Sequence, residues 1–405
     1  MYIKNLLFLF VIFLSIHTVD IQNAVSQNDT SSKLPDLIPY RKGDKWGYCD
    51  KNKKIIIPVK YEGVEIFQEG LALVKLNFKS GFIDKKGNEV IPLIYDFAHN
   101  FINGISIVSL NGKMGCIDLS GKMVISMNYE TILDFNGEIA PVEQNGKWGL
   151  INIEGKEITA IIYNKAYVFT PDFGYIQLNN ECGCVNKEGK EVVPLKYDLY
   201  SGYIHEGLAN VGLKGKWGFV DLDGNEVIQF KYERTYPFFD GLALVSLKGK
   251  WGFIDKKGNV IIPIFYDEAD PISDGVAAVK HNGKWGFLDK ENKMIIPFKY
   301  DYTLDFNDGL APVKLNNKFG IIDKEGKEIV PFKYDGMTSF NHGLAQIRMG
   351  TYPDIMKFGL INEEGSEFIP PKYEFIYEFK EGIAKVQLNG KYGYIDISGT
   401  EYWEE

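Results

Sequence analysis

From Leu37 onward the apolar and polar positions alternate with a period of two, not 3.6. In Leu242 to Leu247, Ala243, Val245 and Leu247 share one face and Ser246 lies on the other. The place of Ser246 is held in other copies by Lys75, Ser109, Glu143, Gln177, Gly212, Lys280, Lys314, Arg348 and Gln387, and never by a large apolar residue. That alternation predicts a half-buried strand. Asn111-Gly112, Asn145-Gly146, Asn282-Gly283 and Asn389-Gly390 follow it, pairs that tolerate the positive φ of a tight hairpin. A second strand comes next, with apolar residues at both places after its glycine, as in Phe253-Ile254, Phe287-Leu288 and Ile321-Ile322. Successive strand residues point to opposite faces, so this strand is expected to be covered on both. It ends at Asp or Asn, with a second turn after it. A short third strand rich in Ile and Val is expected to end at a proline such as Pro58, Pro92, Pro263 or Pro331, because proline lacks the donor a ladder needs.

This unit recurs. A glycine stands at 47, 81, 115, 149, 183, 218, 252, 286, 320, 359 and 393, at 34-residue intervals except for one of 35 and one of 39. Eleven copies make 37–405 one continuous all-β repeat array. Units that cannot bury their faces alone must stack, and the recurrent glycine is expected to face a neighbouring unit closely. Because the array starts and ends near matching points of the unit, the expected shape is an open, solenoid-like stack of three-strand hairpin units. The alternative is a closed propeller. Closure would take one or two propeller-like rings, and two are favoured because eleven small blades exceed the usual four to eight. Ten units also carry a Tyr after the third strand, Tyr266 and Tyr300 among them, with an acid following in nine. Packing between units explains these tyrosines, and so does a ladder of tyrosine–acid pairs facing a ligand.

The signature around the glycine is Lys147-Trp148-Gly149, Lys216-Trp217-Gly218, Lys250-Trp251-Gly252 and Lys284-Trp285-Gly286, with Trp46 in the first copy. It resembles the WG-repeat family of bacterial proteins over the chain from about Leu37 to its end. Several copies depart from it, with Ser80, Met114, Cys182, Phe319, Phe358 and Tyr392 in place of Trp. The resemblance implies an all-β repeat array with no general biochemical activity. The hairpins also look loosely like choline-binding cell-wall repeats. Those place a second aromatic where this chain has Gly, so an aromatic choline cage does not carry over.

Composition changes the picture in three ways. The formal net charge is −9, and only three of 45 basic residues are Arg, which argues against a nucleic-acid partner. Lys4, the apolar run Leu6 to Leu14 and the small residues Ala24-Val25-Ser26 have the layout of an export signal. Residues 1–26 are read as that signal and 27–36 as a polar leader, giving a secreted, periplasmic or cell-surface protein with no membrane span in its mature part. The four cysteines, Cys49, Cys116, Cys182 and Cys184, mostly stand where other copies have Phe, Ile or Leu, so they are read as small buried hydrophobes.

No nucleophile elbow, phosphate loop or zinc helix is present, and Asp221 to Glu226 only glances at a calcium loop. No cofactor or metal is expected, and no enzyme activity. Departures from the repeat are the better guide to a site. Tyr197, Tyr200, Tyr203 and His205 gather in a worn copy, and aromatics there can anchor a protein or stack on a sugar. The 39-residue interval places extra residues, Tyr352 and Asp354 among them, in a hairpin turn that could bind. The chain therefore reads as a non-catalytic scaffold for an unknown protein partner. An envelope-polysaccharide binder is the alternative, and a hydrolase with an unrecognised site comes last.

Overall fold

The computed structural model describes residues 34–341, 343–351 and 356–404. The export signal, most of the polar leader, Tyr352 and Asp354 lie outside these residues. Eleven sheets follow one another in chain order, antiparallel except where the C-terminal strand joins the first. Each is called a blade here and numbered by the repeat glycine it holds, from Gly47 in blade 1 to Gly393 in blade 11.

A complete blade has four strands, one more than the sequence pattern suggests. Blade 8 shows the plan: Glu268–Ala269, Val276–His281, Lys284–Asp289 and Met294–Tyr300, each paired with the next. The two long central strands are the alternating strand and the Trp-Gly strand of the sequence pattern. The Trp-Gly strand is covered on both faces, with Phe253 and Ile254 both 0% exposed. Its terminal Asp folds back as expected: Asp255 Oδ1 accepts the amides of Lys257 and Asn259 at 2.9 and 2.8 Å. Asp221 does the same with Asp223 and Asn225, so the segment that glances at a calcium loop is an ordinary turn of the repeat.

The proline does not end its strand, which is a correction. In blade 7 the strand Val260–Tyr266 runs through Pro263, because the register against the Trp-Gly strand slips there. Trp251 pairs with Tyr266 and Phe253 with Ile262, so Pro263, Ile264 and Phe265 bulge opposite Gly252 alone. Residues in a bulge make no ladder bonds, so the missing donor costs nothing there. The bulge also explains the glycine. A Cβ on Gly252 would lie 2.5 Å from Pro263 O and 2.6 Å from Ile262 O, and one on Gly47 2.5 Å from Ile57 O. The close neighbour is therefore the backbone of the same blade and not, as expected, the neighbouring unit. Contact between units falls to the second-turn glycines, such as Gly87 (φ +84), whose Cβ position lies 3.2 Å from Ile57 of the preceding blade.

Each fourth strand crosses into the next blade through a single residue. Ile55–Tyr61 of blade 1 is followed by Glu62 and then by Gly63–Val64, the first strand of blade 2. The C-terminus repeats this device at the seam. Glu401 bridges Ile395 in blade 11, and Trp403–Glu404 pairs in parallel with Ile38–Lys42 in blade 1. Arg41 Nε donates to Tyr392 O at 2.6 Å, and Trp46 meets Tyr394 edge-on at 6.0 Å. Ile38, Tyr40 and Tyr48 share one core with Ile383, Tyr394 and Tyr402. The array is thus a closed, eleven-bladed β-propeller. The open stack is overturned, and the closed alternative holds, in a single ring. The reason is that first and last units bury apolar surface against each other that an open stack would leave in water.

Candidate functional site

The residues that recur with the repeat are consumed by the ring. The repeat tyrosines are buried against the Trp-Gly strand, Tyr300 beside Trp285 and Tyr266 beside Trp251. Tyr373 Oη donates to Glu401 at 3.0 Å, and Tyr334 bonds Glu367 of the next blade in the same way. The acid after the tyrosine serves the first hairpin turn. Asp96 accepts Lys79 Nζ at 2.6 Å and the Asn111 amide at 2.7 Å. Lys250–Asp267, Lys284–Asp301 and Lys318–Asp335 repeat the pair at 2.6, 2.5 and 2.6 Å. Lysine, Trp and Gly of the signature thus meet the acid, the tyrosine and the bulge of their own unit. The tyrosine–acid pairs act as structure.

The cysteines are all free and buried. Burial pushes the Cys49, Cys116 and Cys184 thiols up to about 12 and Cys182 to about 11. Among the described residues no group of three or more metal-ligating side chains comes together.

Of the four aromatic-rich residues singled out in the worn copy, two come together. Tyr175 and Tyr200 stack at 5.9 Å across blades 5 and 6, and Tyr203 lies 5.6 Å from Phe169. Tyr167 completes the group, 5.8 Å from Tyr175 and 5.9 Å from Phe169. The Tyr200 hydroxyl is buried beside the Cys184 and Cys182 thiols and makes no hydrogen bond of ordinary geometry. Tyr167 is 40% exposed, so the cluster opens to solvent at that end. The other two residues lie apart. Tyr197 is a repeat tyrosine stacked on Phe230. His205 is an inter-blade strut: its Nδ1 meets Phe238 O at 2.5 Å, as Ser273 Oγ meets Phe306 O at 2.7 Å. Sequence reasoning missed Tyr167, Phe169 and Tyr175. A signal existed, since Tyr175 stands where the flanking copies have Pro141 and Asn210.

A second cluster, at blades 8 and 9, was also missed. Four residues past one repeat tyrosine and five past the next, His99 and Asp134 join across the seam of blades 3 and 4 at 2.7 Å. At the seam of blades 8 and 9 the same places hold two carboxylates, Asp270 and Asp305. Burial, then repulsion from Asp305 and Glu268, pushes Asp270 well up; burial pushes Asp305 to about 6. Tyr302, within reach of these carboxylates, lines an open surface cavity of about 460 Å³ together with Asp301, Lys314, Asn317 and Phe319. Tyr302 is 42% exposed and stands between two rings, 6.5 Å from Trp285 and 6.1 Å from Phe319. Burial first, then the carboxylates of Asp270, Asp305 and Glu268, raise its phenol, so it remains a donor.

Fold and contacts together define a closed β-propeller whose recurrent chemistry is structural. Ten tandem matches to the WG containing repeat, spanning residues 46–79, 81–113, 114–148, 148–182, 183–217, 217–251, 251–285, 285–319, 319–350 and 358–392, show that the chain belongs to that family. None of the curated proteins matches the sequence. Among solved structures, a eukaryotic initiation factor is similar at 10% identity, over 90% of this chain and 94% of that one, with a TM-score of 0.46. The extracellular domain of a putative one-component system from B. thetaiotaomicron is similar at 8% identity, over 93% and 71%, with a TM-score of 0.28. The WD40 domain of Toxoplasma gondii coronin is similar at 12% identity, over 48% and 66%, also with a TM-score of 0.28. These likenesses stop at the general fold.

Proposed function

We propose that this propeller is an exported, non-catalytic scaffold that holds a partner protein against blades 5 and 6. One observation carries the reading. In a ring whose recurrent polar groups are engaged internally, Tyr167, Phe169, Tyr175, Tyr200 and Tyr203 break the repeat together and form one aromatic group open at Tyr167. Rigid rings that are partly buried before binding lose little entropy on contact, which is why aromatics dominate the energetic centres of interfaces. Export rests on the N-terminal charge, apolar run and small-residue site, with the mature chain starting at Gln27.

The test is capture with the purified mature chain from the source organism's own extract, alongside Tyr167→Ala and Tyr203→Ala. The expected result is one protein retained at fixed ratio by the parent and lost by both variants, each of which keeps the parent's circular dichroism. Retention of an envelope polysaccharide with no protein would replace this reading with glycan binding. A catalytic turnover abolished by one Asp, Glu or His substitution would replace it with a hydrolase.

A further inference from the structure

We propose that the cavity of blade 9 is a receptor for a carboxylate side chain presented by another polypeptide, with Lys314 as its cationic partner. This rests on the reading of the ring as a protein-binding scaffold and names a second contact on it.

The propeller contains its own control. Within each blade a residue on the first strand pairs across to one on the second, and that one pairs across to the Trp-Gly position. In blade 8 the row is Glu268, Lys280 and Trp285. Lys280 Nζ bonds Glu268 Oε1 at 2.8 Å and lies 5.8 Å from the Trp285 ring centre. In blade 9 the row is Tyr302, Lys314 and Phe319. Lys314 keeps the ring contact, 5.5 Å from the Phe319 centre, but a tyrosine stands where blade 8, alone among the described blades, has a glutamate. Among the described residues it has no carboxylate partner. Asp301, which also lines the cavity, is held by Lys284 at 2.5 Å and drawn below the usual carboxylate range by that contact.

Three other blades place a basic residue at this row position. In blade 1 it is Arg41, between Trp46 and Trp403, but it is a guanidinium bonded to Tyr392 O at 2.6 Å. In blade 10 the lysine is Arg348, which turns inward and donates to Asp335 O at 3.0 Å over Gly336. In blade 2 it is Lys75, flanked by Gly63 and Ser80, neither of which carries a ring. Blade 9 alone of these joins an ammonium, two aromatic faces and a cavity.

The occupant follows from the pairing that blade 8 shows for a lysine at this place. The group that the fold sets against this lysine one blade earlier is a glutamate side chain. A carboxylate entering the cavity can accept from Lys314 Nζ and from the Tyr302 hydroxyl, while an apolar neighbour packs on the exposed face of Tyr302. Charge-assisted bonds of this kind are roughly twice as strong as neutral ones.

The experiment is a ligand-observed NMR titration of the mature chain with acetylated, amidated Phe-Glu-Phe, its Phe-Gln-Phe counterpart and free glucuronate. The expected result is that the Glu peptide binds about tenfold or more tightly than the Gln peptide. Lys314→Met should remove that preference, and Lys280→Met should leave it intact. Tyr302→Glu should abolish binding by supplying the internal partner found in blade 8, which a merely misfolded variant is distinguished from by its unchanged melting curve. Equal binding of the two peptides, a preference that survives Lys314→Met, undiminished binding by Tyr302→Glu, or Lys314-dependent binding of glucuronate alone would overturn the proposal. Failure of partner capture at blades 5 and 6 would remove the scaffold reading without altering this titration, so the two failures are distinguishable.

Discussion

Tyr402→Ala tests whether the two ends of the chain hold each other. Tyr402 is 1% exposed and lies in the core shared by blades 1 and 11. Its hydroxyl donates to Asp396 Oδ2 at 2.9 Å, and its carbonyl accepts the Arg41 amide at 3.4 Å. Truncating a buried aromatic side chain to alanine costs about 3–5 kcal/mol. Asp396 keeps the Ser398 hydroxyl and the Ser398 and Thr400 amides, so its lost donor adds only about 1 kcal/mol. The surrounding ion pair Lys42–Glu404 is exposed on both sides and adds little. The sum is about 4–6 kcal/mol. At the usual unfolding entropy, roughly 370 ordered residues give about 0.8 kcal/mol per kelvin, so melting should fall by about 5–7 °C. Tyr402→Phe keeps the ring and should lose only about 1 kcal/mol. The decisive assay is hydrogen exchange at the amides of Arg41 and Gly43, which bond Tyr402 O and Glu404 O across the seam. In a closed ring, Tyr402→Ala accelerates exchange at both, at the opposite end of the sequence. In an open stack that substitution frays blade 11 alone. Unchanged exchange at Arg41 and Gly43 would refute closure through this segment.

Other outcomes follow from the same contacts. Gly252→Ala forces a Cβ against backbone atoms at 2.5–2.6 Å and should cost about 3 kcal/mol or more in denaturant titration, whereas Gly241→Ala, strained at φ +80 but with nothing within 4 Å, should cost about 1 kcal/mol. Asp270 and Asp305 have raised folded-state values, so their stabilising contribution is complete below the ordinary aspartate range and is lost as pH rises through those raised values, about 6 for Asp305. Asp305→Asn should therefore raise the unfolding midpoint at neutral pH and change it little in acid. The thiols are raised from 9.0 to about 11–12, so stability should decline as pH rises from about 9 toward those values. A colorimetric thiol reagent at about pH 8 should label none of the four until the chain is denatured.

The array itself was legible in the sequence because its determinants are local. Alternation in Leu242 to Leu247 sets a pleat, Asn282-Gly283 permits a tight turn, and Asp255 folds back on its own amides; each depends on residues a few places apart. The buried fate of Cys116 and Cys184 followed from the apolar residues at matching places. Even Gly252 was legible as a close approach, though the bulge of Pro263 to Phe265 that approaches it was not, because a slipped register leaves no mark on periodicity. Tertiary structure decided the rest. Closure depends on a small rotation accumulated over eleven units and on contacts between Tyr40 or Tyr48 and Tyr394 or Tyr402, which no local pattern encodes. The same holds for the sites. Tyr200 and Tyr203 were readable as departures from the repeat, but only the seam of blades 5 and 6 sets Tyr167, Phe169 and Tyr175 beside them. Lys314 was one polar residue in an alternating strand until cross-strand register placed Tyr302 opposite it. A strand's own sequence fixes which face a side chain takes. What lies across from it is fixed by the neighbour that folding brings there.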